Sequence, residues 1–315
     1  MKRLWPKGAA FALVALIAAF AAVTARAVTP TVVYDNIPDP QPGNVSSEAF
    51  EADGDSEFGG LIQLAGTQRQ NPTVTVLMSS WGCQSGHWTG LPQYGGACST
   101  TPGSTFSEPI TLNIYNDGPG DSVGSLVATA TQTFNIPFRP SADPVNCPAT
   151  PTKWYSASDH TCYNGFATPI TFNPLVGVTL PNKVIVSVAY NTSDFGYSPY
   201  GDSTPCHANP GGCGYDSLNV GLWSPPTTGS DPRPSDAYIN TLYGNCTFNG
   251  TGGNFVLDQG CWGGFQPAIR VSALYINEAK TQADCKNNGW QTHTRADGST
   301  FKNQGDCIQY VNTGK

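Results

Sequence analysis

The chain has 315 residues, a formal net charge of −7, 12% charged and 39% hydrophobic side chains, and ten cysteines. That hydrophobic share builds a packed core and excludes a disordered chain. The acidic balance excludes a phosphate-binding surface made of Lys and Arg, so nucleic acid is not expected as a partner.

Residues 1–27 read as a secretory signal peptide. Lys2, Arg3 and Lys7 open it, Phe11 to Val23 is an apolar run, and Ala25-Arg26-Ala27 is an A-x-A cleavage site. The run is well short of the ~20 residues that span a bilayer, so no membrane anchor is expected after cleavage. The leader holds four basic residues (with Arg26) and no acidic one, which leaves 11 basic against 22 acidic side chains. The expectation is a secreted, extracellular protein, with a main domain over 28–277 and a small module over 278–315.

Asp53-Gly54-Asp55-Ser56-Glu57 comes first among candidate sites. Carboxylates at every second position suit a hard cation, so Asp53, Asp55 and Glu57 are candidate ligands for a structural calcium, the one cofactor the sequence leaves room for. The EF-hand template fails, because its sixth position falls on Phe58 and its twelfth on Leu64.

Strand signals follow. Thr73–Ser79, Ile110–Tyr115, Lys183–Val188 and Ile269–Tyr275 each alternate apolar and polar residues with period two. Asn116-Asp117-Gly118-Pro119-Gly120 is a hairpin signal. No stretch before residue 276 keeps a helical apolar period. The fold class expected is all-β: an antiparallel sandwich of jelly-roll type.

The cysteines come as near neighbours: Cys83 with Cys98, Cys147 with Cys162, Cys206 with Cys213, Cys246 with Cys261, and Cys285 with Cys307. An even count in an exported chain reads as disulfides, and pairing neighbours is the simplest connectivity. A bridge over such a loop contributes about 3 kcal/mol in the chain-entropy picture. Zinc at Cys206, His207 and Cys213 lacks paired CxxC spacing and a fourth ligand. The segments 81–108, 139–168, 192–217 and 244–263 are expected to be long loops held rigid by their bridges. Loops of that length usually carry function.

One of them gathers Asp194, Tyr197, Tyr200, Asp202, Tyr215 and Asp216. Aromatic faces give flat apolar area with a polar edge, and short carboxylates accept hydroxyl hydrogen bonds. These residues, extended by Trp88 and Tyr94, form a candidate platform for a polysaccharide or cell-envelope glycan. The competing reading is that the rings pack over the edge of the core.

Catalytic signatures are missing: no G-x-S-x-G elbow, HExxH, Walker loop or dinucleotide fingerprint. A glycosidase needs two facing carboxylates, and the five glutamates, Glu48, Glu51, Glu57, Glu108 and Glu278, show no such pair in sequence. The reading is a non-catalytic extracellular binding protein. A secreted hydrolase with loop carboxylates and a purely structural surface protein are the alternatives.

At the end, helical turns are expected over 278–286 and 306–311. Between them Gly289-Trp290 and Phe301 supply aromatic plugs, and a Cys285–Cys307 bridge would staple a unit too small to fold on burial alone.

The pattern Cys285, Gly289-Trp290, Phe301, Asn303-Gln304-Gly305, Cys307 resembles a tail recurring on secreted bacterial proteins. The phrases "SEFGGLIQLAGTQR" (56–69), "TVTVLMSSWGCQSGHW" (73–88), "AYNTSDFGYSPYG" (189–201) and "CGYDSLNVGL" (213–222) resemble a family of exported bacterial β-sandwich proteins. So do "VVYDNIP" (32–38) and "ITLNIYN" (110–116). The resemblance implies export, a bacterial source and a sandwich fold; it transfers no activity and no catalytic residues.

Overall fold

The computed structural model describes residues 29–50, 54–92, 95–191, 218–241, 246 and 253–315. Among them are two six-stranded antiparallel sheets, with strands numbered in chain order. The first runs β1 (Thr31–Asp35), β14 (Ile269–Leu274), β4 (Gln70–Ser80), β11 (Leu218–Leu222), β2 (Ser46–Glu48), and β9 (Phe166–Thr171) also pairs with β4. The second runs β13 (Val256–Gln259), β12 (Asp236–Thr241), β3 (Asp55–Gln63), β10 (Lys183–Ala189), β5 (Thr105–Asp117), β6 (Val123–Pro137). From β3 onward the chain crosses repeatedly between sheets, as a jelly roll does. The expected antiparallel sandwich is the fold.

Alternation drives it. Val184, Val186 and Val188 of β10, Ile110, Leu112 and Ile114 of β5, and Val74, Val76 and Met78 of β4 all enter one core. Burying each such side chain contributes roughly 1.5–3 kcal/mol. All four sequence-predicted strands are present; Thr73–Ser79 grows to β4 and Ile110–Tyr115 to β5. The hairpin signal at Asn116–Gly120 joins β5 to β6. β3 and β6 carry no comparable alternation of large apolar residues. In β3, Gly59 lies so close to β10 that an added Cβ would meet the Val186 carbonyl oxygen at 2.5 Å, a close approach only glycine permits.

Four disulfides join near neighbours: Cys83–Cys98, Cys147–Cys162, Cys246–Cys261 and Cys285–Cys307. Cys206 and Cys213 lie outside the described residues. Two of the expected loops carry structure of their own. The second contains a hairpin of β7 (Trp154–Ser156) and β8 (Thr161–Tyr163), and the fourth contains β13.

After β14 the chain forms a small helical module. α1 (Gln282–Cys285) and α2 (Gln304–Thr313) flank a 3₁₀ turn at Gly289–Gln291. Ala279, Cys285, Phe301, Cys307 and Tyr310 make its separate core, with Trp290 packed against it. No helix among the described residues is long and apolar enough to cross a membrane.

Candidate functional site

The first stapled loop leaves β4 at Trp81 and the second leaves β6 at Phe138. They meet around Arg139, whose side chain is fully buried. Its backbone N–H donates to the Gly82 carbonyl (2.8 Å), and its guanidinium donates to the Thr152 carbonyl (2.8 Å). Ala142 N–H donates to the Cys98 carbonyl, and Ser141 Oγ both accepts from Thr100 N–H and donates to the Thr100 carbonyl. The Arg139–Gly82, Ala142–Cys98 and Ser141–Thr100 hydrogen bonds join the two loops, and the buried guanidinium lies where they meet.

Between these loops and the start of β9 opens a pocket of about 640 Å³. Trp154, Tyr155, Phe166, Phe138 and several prolines form its walls, with Thr100, Ser104, Ser141 and Asp143 as the polar members. Trp154 is held by its indole N–H on the Gly165 carbonyl (2.7 Å) and by the rings of Phe166 and Tyr163. Tyr155 is half-buried, its hydroxyl 2.8 Å from His160 Nδ1. Asp143 accepts from Asn146 Nδ2 and from the Val145 and Asn146 backbone N–H groups; the Asn146 bonds come first in holding its carboxyl below the ordinary value. Burial pushes Asp159 up, but bonds from Gly43 N–H, Ser156 and Tyr163 outweigh it and leave that carboxyl depressed. Asp159 thereby ties the 36–45 connection between β1 and β2 to the β7–β8 hairpin. Mostly apolar walls with a few placed polar groups describe a small-ligand site.

Trp88 lies outside this lining. It packs edge-on against Trp81 (4.9 Å, 88°), so the two indoles form no flat platform. Trp81 donates to Ser79 Oγ, which donates to Asn44 Oδ1. Asp194, Tyr197, Tyr200, Asp202, Tyr215, Asp216 and Tyr94 lie outside the described residues, as does Asp53.

The two described calcium candidates meet different groups. Glu57 Oε1 accepts from Asn113 Nδ2, Tyr115 hydroxyl and Ser187 Oγ, and burial followed by the Glu57 charge raises the Tyr115 phenol. Asp55 instead acts, with Glu108 and Glu48, on the Tyr190 phenol through its charge. The β3–β12 register shifts between these two positions, and a bulge ends the period-two geometry on which a shared cation depends. Among the described residues the group that brings three ligand atoms within 4.8 Å is Cys246, Asp258 and Cys261. Its sulfurs form a disulfide, and Asp258 accepts from Cys246 N–H and the Trp262 indole. That set is an anchor for the fourth loop.

Tyr190 marks a second polar centre. Its ring stacks on Phe50 at 4.0 Å and its hydroxyl donates to the Leu218 carbonyl at 2.8 Å. Burial first, then the charges of Glu108, Asp55 and Glu48, raise its phenol far above the ordinary value. All three carboxylates are buried.

The sequence marks the loop 139–168 but does not single out Arg139, Trp154, Tyr155 or Phe166. The Trp154-Tyr155 pair inside a polar cysteine loop is the signal that could have found them. Comparison with protein families, with curated proteins and with solved structures finds no match to this chain.

Proposed function

We propose that the protein is secreted and acts outside the cell as a non-catalytic binder of a polysaccharide or cell-envelope glycan. The reading rests on the pocket between the two stapled loops: an aromatic wall of Trp154, Tyr155 and Phe166 accompanies the hydroxyl-bearing Thr100, Ser104 and Ser141. Sugars offer an apolar ring face and a polar rim, and this lining complements both. Four disulfides fit an oxidising compartment, and the leader-like start supports export.

The test is retention on insoluble glucan, chitin and peptidoglycan. Tyr155→Ala should weaken retention about three- to tenfold, the worth of one aromatic contact, with an unchanged melting temperature because Tyr155 is only half-buried. Unaltered retention by that variant removes the pocket from the reading. Tyr197→Ala with Tyr200→Ala tests the other loop in the same assay.

A further inference from the structure

Among the described residues both sheets end in edge strands, and all but one of these are guarded. A free edge offers unpaired N–H and C=O groups, and proteins blunt it with short strands, charges, proline or a covering segment. β1 has five residues and is covered by the 227–228 segment, where Asp35 N–H donates to the Thr228 carbonyl. β2 has three residues and ends in Glu48; β13 has four and includes Asp258; β9 contains Pro169. β6 has fifteen residues, VGSLVATATQTFNIP, with no charge and no proline before its last position. After the irregularity near Tyr115, it pairs with β5 in unbroken register from Ala128 to Pro137. Among the described residues no strand pairs with its other side.

Its side chains sort cleanly. Thr129, Thr131, Thr133 and Asn135 are exposed on the outer face, while Ala128 and Phe134 pack on the core. Neighbouring β5 extends the polar face, through Thr111–Thr131 (2.8 Å), Thr129–Asn113 (2.8 Å) and Ser107–Asn135 (3.2 Å) hydrogen bonds.

We propose that β6 is a self-association edge, pairing antiparallel with β6 of a second copy of this chain to join the second sheets of the two copies into one. The strand's composition selects that occupant. A two-fold axis sets a strand against its own reverse, so every charge near the axis meets its like. β6 has none. With the axis at Thr131, Thr131 faces Thr131 and Thr129 faces Thr133, repeating the threonine pairing that Thr111 and Thr131 already make between β5 and β6. On the inner face, Ala128 meets Phe134 and Ala130 meets Gln132, small against large. Pairing over 128–134 alone gives about seven backbone hydrogen bonds.

Sedimentation of the disulfide-intact, leader-free chain at micromolar concentration tests this. The wild type should be dimeric, and amide exchange over 128–136 should slow as concentration rises. Thr131→Lys, which adds a solvent-facing charge on the outer face, should weaken self-association roughly a hundredfold through like-charge apposition without lowering the melting temperature. Thr131→Glu should do the same, and an equimolar mixture of the two variants should restore the dimer. A monomeric wild type, a Thr131→Lys dimer as strong as the wild type, or concentration-independent exchange over 128–136 overturns the proposal. A monomer that takes up a foreign extended peptide at this edge does so too.

Discussion

The sandwich gathers Val184, Val186, Leu112, Ile114, Val271 and their neighbours into one large buried core, whereas the C-terminal module has only Ala279, Cys285, Phe301, Cys307 and Tyr310. Two of those five are the bridge itself. The module compensates with polar devices. Arg295 pairs through Nη2 with both oxygens of Asp306 (2.8 and 2.7 Å) and lies over the Phe301 ring at 4.7 Å. Thr281 and Asp284 form a capping box on α1, and Asn303 caps α2. Area holds the large unit; a covalent link and directed hydrogen bonds hold the small one. The two should therefore fail under different insults.

The largest expected effect is loss of the bridge. Cys285→Ser with Cys307→Ser removes a link of sequence separation 22, worth about 3 kcal/mol, and so small a core has little to replace it. Limited proteolysis should then cut within 278–315 while the sandwich keeps its melting transition. Continued protection of the module would show that its docking on the sandwich, through Gln70 Oε1 accepting from Ile276 N–H, suffices without the staple.

Acid should come next. In the module Asp284, Asp297, Asp306 and Glu278 all sit below the ordinary carboxylate value. Hydrogen bonds are the leading cause for Asp284, Asp297 and Glu278. Burial pushes Asp306 up, and bonds from Lys302 N–H and Arg295 outweigh it. A depressed folded value contributes stability that is present above the unfolded pKa and lost as pH falls through the folded one. Asp143 and Asp159 in the sandwich share that sign, but Asp231 has the opposite one, since burial raises it, and the sandwich has by far the larger core to fall back on. Below ~pH 4 the module should open before the sandwich does. Amide exchange followed against pH checks the order, and simultaneous opening would break the contrast.

Legibility in the sequence follows chemistry that is local. Ile110–Tyr115 and Lys183–Val188 are readable because β-branched residues alternate with polar ones. β6 is not, because its inward positions include Ala128 and Ala130, too small to mark a buried face, and β3 is hidden by Gly59-Gly60. Neighbour pairing of cysteines is readable in the four described bridges, since each closes one loop. The pocket is not readable, because it needs Thr100, Ser141, Trp154 and Phe166 brought together from two loops and a strand. Asp55 and Glu57 look alike at a spacing of two, and the register shift between them sends each to different partners.

The smallest effect isolates one capping bond. Asn303 Oδ1 accepts from Asp306 N–H at 2.9 Å, at the start of the ten-residue α2. A helix of that length is marginal alone, so its first turn depends on such a partner. Asn303→Ala should lower the module's stability by about 1 kcal/mol, and Asn303→Asp should recover most of it. Amide exchange in α2 reads the change, with β10 and β5 as the internal reference. The sandwich should be indifferent. If α2 is equally indifferent, then the Arg295–Asp306 pair and the bridge already fix that turn, and the module's stability lies in its cross-links rather than in its caps.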